Sequence, residues 1–78
     1  MEMGIHIPEP PFQVDILDEH NSIVTNPFSG ESCVLNPVAT AVYYSIKGAE
    51  MFEQYEIVQA GLSWFKQHYA KEYMVLLD

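Results

Sequence analysis

Asn36-Pro37 is the dipeptide that most constrains this chain, because apolar residues alternate before it and recur with a helical period after it. An Asn side chain can cap free amide groups, and a proline at the first helical position loses no hydrogen bond, so a helix is predicted to start there. Val38, Ala41, Val42, Ser45, Ala49 and Phe52 then share one side of a 3.6-residue period. Ala41, Ser45 and Ala49 form a row of small residues along which a neighbouring helix can approach. Tyr55, Val58, Leu62, Phe65 and Tyr69 share a second face. The spacing predicts two antiparallel helices over 37–52 and 55–71. Neither Gly nor Pro occupies 51–55, so one continuous helix would also satisfy the pattern. That helix would run about 50 Å at 1.5 Å per residue and would need oligomerisation to cover its apolar face.

Upstream, Phe12, Val14 and Ile16 alternate with Gln13 and Asp15, and Ser22 to Thr25 offers a second run of strand-forming residues. Asp18, Glu19, His20 and Asn21 lie between them as a four-residue turn, which predicts a β-hairpin over 12–25. Before it, "IHIPEPPF" places prolines at 8, 10 and 11, removing backbone donors and favouring an extended arm over 1–11. A connector over 26–36 follows the hairpin, with Asn26-Pro27 ending its second strand and Ser29-Gly30 letting the chain reverse. The last residues, 72–78, include five consecutive apolar or aromatic side chains from Tyr73 to Leu77, which fit either a third strand or a last helical turn. The expected fold is a single α+β domain: an N-terminal arm and β-hairpin packed on a C-terminal two-helix hairpin.

A chain of 78 residues buries only about 60% of its unfolded surface, so its own core is marginal and a staple or partner is expected. Cys33 is the only cysteine, which excludes an internal disulfide and fits a reducing cytoplasm. No charged leader followed by an apolar run is evident, nor any 18-residue apolar stretch, so a soluble cytoplasmic protein without membrane contact is expected. Eleven Asp and Glu against three Lys give a formal charge of −8, which opposes direct nucleic-acid binding. Lys47, Lys66 and Lys71 all lie in the second half, while residues 1–46 carry acids and neither Lys nor Arg. Such acidity maintains solubility, or else presents an acidic surface to a basic protein groove, including mimicry of nucleic acid.

The motif with most apparent chemistry is Gly30-Glu31-Ser32-Cys33. A nucleophile elbow needs glycine two residues to either side of the serine, and position 34 is valine, so the match fails. Cys33 with His6, His20 or His68 as base, or all four as zinc ligands, lacks an evident oxyanion site and the short paired spacings that mark a metal centre. The expectation is a protein that is not an enzyme and has no cofactor or metal. Cys33 then reads as a small buried group before the helix cap.

Aromatic and apolar surplus is more informative. Tyr43, Tyr44 and Met51 lie off the stripe of the first helix, and Ile57, Ala60 and Trp64 off that of the second. They either pack beneath the arm, the hairpin and the C-terminal run, or form a protein interface, where Tyr, Trp and Met are enriched. Glu50, Glu53 and Glu56 cluster at the interhelical connection, as a solvated turn or as part of that interface. The candidate partner-binding set is therefore Tyr43, Tyr44, Met51, Trp64, Glu50, Glu53 and Glu56, serving a protein partner or a homo-oligomer.

Ala60 and Trp64, following Tyr44 and Gly48, are similar to part of a tetratricopeptide helix pair, as a geometric analogy. The stretches "TNPFSGESCVLNPVA", "YYSIKGAEMFEQY" and "KEYMVLLD" resemble small uncharacterised proteins of tailed bacteriophages. That resemblance implies a phage protein acting in a bacterial cytoplasm or in the virion, and it implies no catalytic motif. The functional expectation is a non-enzymatic interaction module, with an acidic inhibitor of a basic host protein and a minor virion component as alternatives.

Overall fold

The computed structural model describes residues 7–16 and 19–78. Its elements run β1 (Ser22–Thr25), β2 (Ser32–Leu35), α1 (Pro37–Met51), α2 (Tyr55–His68) and α3 (Ala70–Leu76). The fold is α+β, with an antiparallel hairpin packed on a helical hairpin.

Asn36 starts α1 as expected: its Oδ1 accepts the Ala39 backbone amide at 2.8 Å, and Pro37 occupies the first turn. α1 is the central element. Five consecutive residues, Ala39 to Tyr43, are buried, together with Ile46 and Ala49, because α2 covers one side of the helix and the β-hairpin another. Ile46 fits into the gap left by Gly61: a Cβ at position 61 would stand 2.7 Å from Ile46 Cδ1 and nearer still to Cγ1. That missing methyl lets the two helices close at this point.

The hairpin differs from expectation in its strands. Ser22–Thr25 is its first strand and Ser32–Leu35 its second, with Ser22 opposite Leu35 and Thr25 opposite Ser32. Residues 26–31, placed in a connector by the sequence, form the hairpin loop. The Asn26 backbone amide donates to Glu31 O at 2.8 Å and Gly30 N–H returns to Asn26 O at 2.8 Å, with Gly30 at φ +79. Residues 12–16 form no strand. Their alternation holds in part, since Phe12 and Val14 pack on the core while Gln13 and Asp15 are exposed, but Ile16 is exposed as well, and the pattern records an extended segment laid on the core rather than a ladder. Asp18 of the predicted turn, and residues 1–6 of the arm, lie outside the described residues.

The arm is fixed by Trp64, whose Nε1–H donates to the Glu9 carbonyl at 2.6 Å. The interhelical break falls where expected and rules out one continuous helix. The second helix ends earlier than predicted, at His68, and after Tyr69 the chain enters α3. The C-terminal run is therefore helical, burying Leu76 and packing Tyr73, Val75 and Leu77 against the core.

Candidate functional site

The α1–α2 turn is built without glycine or proline. Glu53 takes a left-handed conformation, φ +59, which lets the Gln54 amide reach Ala49 O at 2.8 Å and the Glu53 amide reach Glu50 O at 3.3 Å. These two bonds satisfy the last carbonyls of α1 in the Schellman arrangement, usually closed by glycine. The reversal has a consequence for the flanking side chains. Met51, Phe52 and Tyr55 project beyond the end of the helix pair and are 79%, 75% and 62% exposed. Glu50, Glu53 and Glu56 are exposed around them. Beside them runs an open groove of about 350 Å³ whose lining includes Phe12, Gly48, Phe52, Gln54 and Ile57.

The sequence-derived set therefore divides. Met51, Glu50, Glu53 and Glu56 come together at this end of the molecule. Tyr43 and Trp64 do not join them: both are core residues, 4% and 5% exposed. Tyr43 meets Tyr44 edge-on at 5.3 Å, and Trp64 packs on Phe65 at 5.2 Å and Tyr69 at 5.2 Å, so both aromatic surfaces are already used. Tyr44 is half-exposed and lines a separate groove between β1 and α1 with Ile23, Thr25, Pro27 and Lys47.

By period alone Phe52 and Tyr55 fall on the buried stripes. The left-handed residue between them breaks both stripes, and two glutamates beside an interhelical gap were the sequence signal that these positions mark a helix end.

The nucleophile candidates are held apart by strand alternation. Ser32 faces outward and its Oγ lies 2.7 Å from Thr25 Oγ1, whereas Cys33 faces the helices and is half-buried. Burial, and secondarily the negative charge of Glu72, push the Cys33 thiol above its ordinary range, so the thiolate that a nucleophile requires is disfavoured. His6 is outside the described residues. Among the described residues no group of three His, Cys, Asp or Glu could hold a metal ion, and no helix is long and apolar enough to cross a membrane.

Comparison with protein-family models, curated proteins and solved structures found no match to this chain.

Proposed function

We propose that the chain is a non-enzymatic protein-interaction module and that the α1–α2 turn is the surface it presents to its partner. The observation that carries this reading is the exposure of three large apolar side chains, Met51, Phe52 and Tyr55, close together in sequence at one end of the domain, whereas Tyr43 and Trp64 are buried. Water contact with such a group is unfavourable by roughly 25 cal/mol per Å² of apolar surface, and a partner relieves it. A flexible methionine beside two rings suits an interface able to adapt its packing.

The acidic rim narrows the partner. Glu50, Glu53 and Glu56 surround the apolar centre, in a chain of formal charge −8, so the complementary surface is apolar with Lys or Arg at its margin. An acidic inhibitor of a basic protein would use the same surface with the charges dominant. It predicts loss of binding on exchanging the three glutamates for Gln, whereas the apolar reading predicts loss on exchanging Met51, Phe52 and Tyr55. On the resemblance to tailed-phage proteins, the partner belongs to the phage or its bacterial host. A virion component would instead appear in purified particles at fixed stoichiometry.

The test is a photo-crosslinking side chain at position 52, with position 59, exposed on α2, as control. A protein adduct formed from position 52 and not from 59 supports the assignment. Equal adducts at both positions, or none, would refute it.

A further inference from the structure

We infer that Trp64 and the part of α2 beneath the arm form a binding site for a proline-rich segment of a partner protein, and that the chain's own residues 8–12 fill that site in this structure. The path of the arm shows what the site accepts. Glu9 lies at Trp64, Phe12 lies one helical turn back at Gly61, 3.6 Å from a Cβ placed there, and Gln13 lines the groove with Gln54 and Ile57. The arm therefore runs along α2 from its C-terminal half toward its start.

Proline dictates the chemistry. Pro8, Pro10 and Pro11 have no N–H, so between Ile7 and Phe12 the backbone keeps four carbonyls and a single amide donor, that of Glu9. Such a backbone needs a donor opposite it, and an indole N–H only donates. The Trp64 Nε1–H meets the Glu9 carbonyl, part of the tertiary amide of the Glu9-Pro10 bond, at 2.6 Å. Phe65, His68 and Tyr69 hold the indole in place, with ring centroids 5.2, 5.6 and 5.2 Å away. Aromatic grooves with a donor of this kind recur as binding sites for proline-rich peptides. Glu9 is engaged through its carbonyl while the residue itself stays exposed, so the site reads backbone and prolines rather than an acidic side chain.

The resident segment is lightly held. None of residues 7–16 is fully buried, and among the described residues no main-chain hydrogen bond joins them to the strands or helices. Segments held in this way open at little cost. A second copy's arm would bring the same Glu9 and Asp15 to a chain of formal charge −8 and gain nothing over the resident. A partner's segment with Lys or Arg at those places gains from the charge, and it is the occupant.

Titration of the full chain tests the site, with Trp64, the only tryptophan, as reporter. The probe is a synthetic peptide copying residues 7–16 with lysine in place of both acids, and the control peptide also carries alanine in place of the three prolines. The tethered arm competes at an effective concentration on the order of millimolar, so the probe should displace half of it at or below a few millimolar. A saturable shift of the indole N–H resonance is expected, with at least about tenfold weaker binding of the control. Phe12→Ser removes the arm's hold at Gly61 but not the phenylalanine of the probe, and it should tighten probe binding at least about fivefold by weakening the competitor. No shift of the unaltered protein up to about 10 mM probe, or an equal response to the control, would overturn the inference. Crosslinks from the arm of one copy to Trp64 of another, in a dimer that the probe does not dissociate, would place a second copy in the site and overturn the assignment to a partner. A failed titration beside a position-52 adduct would overturn this inference alone and leave the reading of the α1–α2 turn standing.

Discussion

Asn36 Nδ2 donates to the Tyr69 hydroxyl at 2.7 Å across 33 positions, so the residue that starts α1 also holds the joint between α2 and α3. Asn26 works in parallel, ten residues earlier. Its Oδ1 accepts the Phe28 amide at 2.8 Å while its Nδ2 reaches the Val75 carbonyl in α3. Each Asn-Pro pair thus spends one end of its amide on local geometry and the other on the C-terminal segment. Tyr69→Phe should cost about 1 kcal/mol, and Asn36→Ala about 2 kcal/mol because it also removes the cap. Asn36→Ser keeps a cap and loses the tie. In a urea double-mutant cycle Asn36→Ser and Tyr69→Phe should therefore couple, and additive losses would show that the tie contributes nothing.

Two glycines in helices should respond with opposite sign. A Cβ at Gly48 meets nothing within 4 Å, so Gly48→Ala should stabilise by up to about 1 kcal/mol through helix propensity. At Gly61 the added methyl strikes the fully buried Ile46, and Gly61→Ala should destabilise by about 1–3 kcal/mol. Thermal unfolding of the two variants decides the matter.

Glu53 occupies a backbone conformation that side chains with a Cβ disfavour. Glu53→Gly should raise the urea midpoint by an amount equivalent to about 1 kcal/mol, against the usual direction for a glycine substitution. A lowered midpoint would mean that the Glu53 side chain makes a contact worth more than the strain.

Cys33 and Tyr43 give the fold its alkaline limit. Burial raises the Cys33 thiol, with Glu72 adding to it; burial raises the Tyr43 hydroxyl, with Tyr44, Glu50 and Cys33 adding to that. A group raised in the folded state stabilises fully below its unfolded pKa, and that contribution is lost as pH climbs through the folded value. The urea midpoint should be insensitive to these two groups near neutrality and fall from about pH 8.5 upward, where an unfolded thiol begins to ionise. Cys33→Ala should move the onset of that fall toward the tyrosine range, about 10. A midpoint that rises over this window would contradict both assignments.

How legible each part was in the sequence follows from how local its cause is. Asn36-Pro37 announced α1 because a cap and its amides lie within three residues, and the C-terminal run read as too apolar to be free. Strand pairing is a non-local choice. Phe12, Val14 and Ile16 carried the clearer alternation, yet Trp64 holds the arm onto α2 and the partner of β1 is Ser32–Leu35, a run too short to show a pattern. At the candidate site, the glutamates were readable as exposed. The aromatics were interchanged, because extending a 3.6-residue period through Glu53 puts Phe52 and Tyr55 inside, and because Tyr43 and Trp64 look surplus until the hairpin and arm are laid over them.

The most direct test of the interaction surface is capture of partner protein on the immobilised chain, comparing the unaltered protein with the triple substitution Met51→Ser, Phe52→Ser and Tyr55→Ser. The three side chains hold up no core, so the variant should unfold within about 0.5 kcal/mol of the original and retain at least about tenfold less partner. A folded variant that retains as much partner as the original would contradict the account.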